Sequence, residues 1–136
     1  MIQPNEIPKV ALDCLNKDHQ EVADIVNCLA SHLSNSSTST KDITDTIQQL
    51  REHLENHFAC EEHQMEKYQF PALNIHRGEH HRVLDEINQI QSNWLTANNP
   101  QVMQNYLSHT FCPWLIEHIS TLDTQTARYI VDSGGS

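Results

Sequence analysis

ITDTIQQLREHLENHFACEEHQM, residues 43–65, is the stretch whose reading decides the fold. Ile43, Ile47, Leu50, Leu54, His57, Glu61 and Met65 recur within it at spacings of four or three. That recurrence matches one face of an α-helix, at about 3.6 residues per turn, and not the two-residue alternation of a strand. The stripe begins apolar and then carries an imidazole and a carboxylate on the same face. The segment therefore reads as a bundle helix that takes polar groups into its core.

Working outward, three more segments carry the same period. A first helix is expected over about residues 9–33, after an N-terminal arm at 1–8, with Leu12, Leu15, His19, Val22, Val26, Leu29 and Leu33 in register. The polar run Ser34 to Thr40 breaks it, and Ser39 or Thr40 can cap the second helix, expected at about 41–66. Tyr68-Gln69-Phe70-Pro71 ends that helix, since Pro71 disfavours a helical Phe70. A third is expected at about 74–95, with His76, His80, Val83, Ile87, Ile90 and Trp94 facing inward. Asn98-Asn99-Pro100 starts a fourth, at about 100–130, with Met103, Leu107, Phe111, Leu115, His118 and Leu122 on its seam. Pro113 lies inside it and predicts a kink or a split. Four helices of similar length joined by short breaks predict an all-α, antiparallel up-down-up-down four-helix bundle, with residues 1–136 as one domain.

Composition narrows the partners. Eighteen Asp and Glu against eight Lys and Arg give a formal charge of −10, which disfavours nucleic acid and anionic membrane surfaces. No apolar run is long enough for a membrane helix and no signal peptide is visible, so a cytoplasmic location is expected. Cys14, Cys28, Cys60 and Cys112 form no C-x-x-C pair and are expected to be thiols, mostly small buried apolar residues. Ten histidines in 136 residues are the anomaly, and that density asks for metal.

The polar interruptions of the seams carry that question further. His19, His57 with Glu61, His76 with His80, and His118 all fall where the periodicity points inward, so each helix sends an imidazole into the interior. A buried carboxylate without a partner costs several kcal/mol, and a cluster of such groups is tolerable around a cation. His53 precedes the seam position Leu54 and reads as a surface or boundary residue, while His32, His63, His81 and His109 read as solvated. Asp123 follows His118 by five residues, about 140° round a regular helix, where Leu122 is the better seam residue. A locally widened turn, or a carboxylate entering from one side, would be needed to bring Asp123 in.

In this order and spacing the residues resemble the hemerythrin family. The matching elements are His19 in Asn16-Lys17-Asp18-His19-Gln20, then His57-Phe58-x-x-Glu61-Glu62, then Tyr68…Pro71…His76-x-x-x-His80, and last Trp114-x-x-x-His118-Ile119-x-x-x-Asp123 with Tyr129 downstream. The resemblance implies two iron ions in an oxo- or hydroxo-bridged di-iron, non-haem centre. His76, His80 and His118 would hold one iron, His19 and His57 the second, with Glu61 and Asp123 bridging. Counting ligands on that scheme, one coordination position stays open, on the second iron, where dioxygen would bind. Trp114, Leu115 and Ile116 would line the pocket, and Cys60 would meet any peroxide leaking from it.

The function so implied is reversible dioxygen binding for storage, delivery or sensing, and not an enzymatic activity. Alternatives are a di-iron enzyme such as a peroxidase or oxidase, or a redox- or oxygen-signalling module acting on a separate partner. Five histidines and two carboxylates are poor in acid beside the Glu-x-x-His sets of carboxylate-rich di-iron proteins, and this favours binding.

Overall fold

A computed structural model describes residues 2–135 and contains four long helical rods, with no strand among the described residues. Helix α1 spans Asp13–Ser34, α2 Thr40–Lys67 and α3 Leu73–Ala97. The fourth rod is three α-segments, α4 (Pro100–Tyr106), α5 (Cys112–His118) and α6 (Thr124–Asp132). Two π-turns, Leu107–Phe111 and Ile119–Asp123, join them without a break. α1 packs on α2, α2 on α3, α1 also on α4 and α2 also on α6, closing an antiparallel up-down-up-down bundle.

The ends follow local chemistry. Ser39 Oγ accepts from the Asp42 amide at 3.1 Å and starts α2, so of the two candidate caps Ser39 is the one used. Asn98 ends α3 in the left-handed region (φ 49°), and Asn99 Oδ1 accepts from Gln101 and Val102 to begin α4. Gln69, also at positive φ (55°), turns the chain between α2 and α3.

The first helix starts later than its periodicity predicts, at Asp13 and not near Lys9. The Asn16 side chain takes both backbone groups of Val10, donating to its carbonyl at 3.0 Å and accepting from its amide at 2.9 Å. A backbone so satisfied has no need to continue the helix. Asn27 holds Ile2 in the same two-sided way, at 2.8 and 2.7 Å, and Gln20 donates to the Pro4 carbonyl. Ile2, Ile7, Val10 and Leu12 are all buried, so the arm is part of the core.

Pro113 does not split the rod, which stays helical on both sides of it. The Cys112 amide reaches back five residues to the Leu107 carbonyl, and the widened turn accommodates the proline that follows. The cysteine expectation is also corrected, because Cys14, Cys28 and Cys60 are exposed and only Cys112 is buried. Each exposed thiol immediately precedes a seam residue (Leu15, Leu29 or Glu61) and so points about 100° away from the core.

Val26, Leu29, Leu54, Leu107, Phe111, Ile119 and Ile130 are nearly or fully inaccessible. Trp94 closes one end of the bundle, its indole N–H donating to Thr44 Oγ1 at 2.9 Å. Leu54→Ala, at a site 1% exposed, is expected to lower unfolding free energy by about 2–5 kcal/mol. Denaturant titration by circular dichroism checks it; a loss below about 1 kcal/mol would mean the seam is not the core.

Candidate metal centre

The periodicity places His19 on α1, His57 and Glu61 on α2, His76 and His80 on α3, and His118 on α5, all at most 5% exposed. Asp123 is buried as well, at 2%. Its entry is the work of the second π-turn. The Thr124 amide bonds to the Ile119 carbonyl five residues back, so five residues across this turn do what four do in an α-helix. Asp123 therefore lies on the His118 face, with Oδ1 3.0 Å from His118 Nε2, while Leu122 is only half-buried. The sequence favoured Leu122 because a regular turn was assumed. Hydroxyls attend the widened turn: Thr124 donates to the Ile119 carbonyl at 2.6 Å, and Ser120 and Thr121 both donate to the Glu117 carbonyl.

The seven side chains form two overlapping sets. Donor atoms of Glu61, His76, His80, His118 and Asp123 lie within 4.8 Å of one another, and so do those of His19, His57, Glu61 and Asp123. Glu61 and Asp123 belong to both. Their oxygens face the inward nitrogens: Glu61 Oε1 is 2.6 Å from His76 Nε2, Glu61 Oε2 3.5 Å from His57 Nε2, and Asp123 Oδ2 3.0 Å from His19 Nε2. Yet both Glu61 oxygens, both nitrogens of His19 and Nε2 of His80 lack an aligned hydrogen-bond partner. The Glu61 oxygens, one nitrogen of His19 and His80 Nε2 are thus gathered without bonding one another, which suits a cation among them, since ligation satisfies such lone pairs.

The outward nitrogens are held from neighbouring helices. His57 Nδ1–H donates to Asp18 of α1 at 2.9 Å, and His80 Nδ1–H to Glu62 of α2 at 2.9 Å. His76 Nδ1 lies 2.8 Å from Thr126 Oγ1 of α6. Arg77 secures Glu62 in turn, at 3.1 Å, and also pairs with Glu66. Each contact fixes the ring with Nε2 turned inward. The seam reading missed Asp18, Glu62 and Thr126. The available signal was adjacency for two of them, because Asp18 precedes His19 and Glu62 follows Glu61, each one step off the inward face.

Aromatic rings cover the histidines. Phe58 stacks on His80 with centroids 4.0 Å apart, and Trp114 on His118 at 4.6 Å. Trp114 is half-buried, and its indole N–H donates to Glu79 at 2.7 Å. Leu115 is buried and Ile116 half-buried. His53 is half-buried at the edge, 3.3 Å from the Asp18 carbonyl; His63, His81 and His109 are exposed, and His32 is half-buried beside Cys28.

The charges are strongly interdependent. Burial alone would raise the Asp123 carboxyl, but the imidazoles of His118, His19 and His76 beside it hold it well below its ordinary value. Burial opposes protonation of His76, yet Asp123 and Glu61 outweigh it and raise that imidazole to about 9. His57 is raised for the same reason, by Asp18, Glu61 and Asp123 against burial. Without a cation, protons are what balance the two carboxylates.

Residues 10–128 match the family described as Hemerythrin HHE cation binding domain. A bacteriohemerythrin of Aquifex aeolicus (strain VF5) is 28% identical over 132 residues, covering 97% of this chain and 99% of the relative. Another, of Ralstonia nicotianae (strain ATCC BAA-1114 / GMI1000), is 23% identical over 134 residues, covering 98% and 92%. With its bundle and this match over most of its length, the chain belongs to the hemerythrin family, and its clustered histidines and carboxylates form a metal-binding centre.

Proposed function

We propose that this protein binds dioxygen reversibly at a di-iron centre held by His19, His57, Glu61, His76, His80, His118 and Asp123. The observation that carries the reading is the asymmetry of the two donor sets. Both contain Glu61 and Asp123, but one adds three histidines and the other only two. The His19–His57 side is thus one donor short, and that is where an exogenous ligand fits. Imidazole and carboxylate donors suit iron. A ferrous pair, when bound, supplies the two electrons that dioxygen takes on binding and returns on release.

The chain's own residues favour reversibility. Asp18, Glu62 and Thr126 hold three rings in one orientation, so the donor set need not reorganise when a ligand arrives or leaves. Phe58 and Trp114 stack on His80 and His118, and the five inward histidines are at most 5% exposed, which limits the access of water. Tyr106 and Cys112 are the other buried groups with ionisable protons among the described residues, and both are weak acids here. Burial, with Glu86 nearby, pushes the Tyr106 phenol far up, and burial pushes the Cys112 thiol up to about 11. Neither is a ready proton source for reducing dioxygen further. Among the described residues no helix is long and apolar enough to cross a membrane.

Anaerobic reduction of the iron-loaded protein followed by titration with dioxygen is expected to give a visible-absorbing adduct, one per two irons, that is lost under vacuum. Immediate, lasting oxidation with no such adduct would transfer the reading to a di-iron oxidase or peroxidase. His118→Ala is expected to abolish stable binding at the three-histidine position while far-ultraviolet circular dichroism keeps its helical form. Two irons per chain retained in that variant would refute the ligand assignment.

Metal uptake should also depend on pH, with a defined sign. With His76 raised to about 9 in the metal-free site, a cation arriving at pH 7 displaces its proton. Apparent affinity for zinc, measured against a chelator of known strength, is expected to rise from pH 6.5 towards about 9 and then flatten for this group. An affinity independent of pH over that range would mean that His76 is not a ligand.

A further inference from the structure

A cavity of about 200 Å³ opens between the start of α1, the later part of α2 and the last turns of α6. Leu12, Leu15 and Ile130 give it an apolar lining, completed by Asp18, Gln64 and Glu61. Glu61 is 1% exposed and neither of its oxygens has an aligned hydrogen-bond partner. It also belongs to the His19–His57 donor set, the one that is a donor short. The cavity therefore leads from the surface to a carboxylate shared by both donor sets, and Asp18 on its lining is the residue that holds His57 of the two-histidine set.

Two cysteines stand at this opening. Cys14, in the first turn of α1, and Cys60, beside Glu61 on α2, both line the cavity and both are exposed. They come from different helices, and neither takes part in the centre. Cys28 is exposed too, but it lies fourteen residues along α1 from Cys14, about 21 Å away, and does not line the cavity.

We propose that this cavity is the path by which small ligands reach the His19–His57 side, and that Cys14 and Cys60 are sites of mixed-disulfide modification that closes it. The inference rests on the di-iron reading above and adds to it a covalent control of access. The reaction is thiol–disulfide exchange with a small disulfide, R–S–S–R. The Cys14 or Cys60 sulfur, having given up its proton, attacks one sulfur of the reagent, and a protein–S–S–R bond forms as the R–S–S–R bond breaks. The departing thiolate takes up the proton and leaves as R–SH. The protein thiol is oxidised, the reagent is reduced by the same two electrons, and excess thiol reverses the exchange. A peptide-sized adduct on either rim residue overlies an opening that both residues border.

Iron-loaded ferric protein treated with oxidised glutathione, with adducts located by peptide mass mapping, provides the test. Adducts at Cys14 and Cys60 are expected to slow association of azide, followed by stopped-flow absorbance, by about tenfold or more. Dithiothreitol should restore the rate without changing iron content. In the C14S/C60S variant, treated and untreated protein should associate at the same rate although Cys28 still reacts, whereas Cys28→Ser should keep the full response. Equal rates despite stoichiometric adducts, slowing that persists in C14S/C60S, or no adduct at either rim cysteine would each overturn the proposal. Azide that binds unmodified protein readily but ignores the adducts removes only this inference; azide that fails to bind iron-loaded unmodified protein at all removes the open position too.

Discussion

An imidazole has two nitrogens, and this bundle depends on using them separately. For His57, His76 and His80, Nε2 faces the shared centre while Nδ1 is fastened to a different helix, through Asp18, Thr126 and Glu62. α1 thus grips a ring on α2, α2 grips one on α3, and α6 grips another on α3. Polar groups that would be a burden in an apolar interior become cross-links between rods. Their cost is met twice, by the outer bonds and by the opposite charges gathered at the middle.

The apolar frame makes that precision possible. Leu54, Leu107, Phe111, Ile119 and Ile130 are essentially inaccessible and belong to one apolar core. Phe58 and Trp114 lie flat against His80 and His118, so those rings are clamped across their faces as well as along their edges. A ring held in both directions has little freedom left to lose when it acquires a partner. The arm adds to this. Its backbone is bonded by Asn16, Gln20 and Asn27 of α1, and its apolar side chains join the same core.

Most of the architecture was legible because three of the helices keep a strict period. From Leu15 to Leu33, from Ile43 to Met65 and from His76 to Ile87, each inward position named from spacing alone is buried. Legibility fails where chemistry interrupts the period. Lys9 to Leu12 continues a helical pattern in letters, but Asn16 offers the backbone of Val10 a substitute partner. In the fourth rod, five residues separate His118 from Asp123, and only a widened turn puts both on one face. Spacing alone therefore favoured Leu122, and the resemblance to known proteins supplied Asp123. Asp18 and Glu62 were hidden for another reason. They sit one step off the seam and reach sideways, and a one-helix projection has no way to express a bond to the next helix.

The Ile119–Asp123 turn is in effect one surplus residue stored inside a rod. Ser120, Thr121 and Thr124 are mediocre helix formers, and their hydroxyls donate to the carbonyls of Glu117 and Ile119 within the widened turn. Replacing them with alanine, an ordinary recipe for a sturdier helix, would remove those hydroxyl donors and favour tighter winding. A residue count that fits a wide coil would then be wound on a narrow one, and everything beyond it would rotate relative to the rest of the rod. In this segment, poor intrinsic propensity preserves the angular setting of one carboxylate.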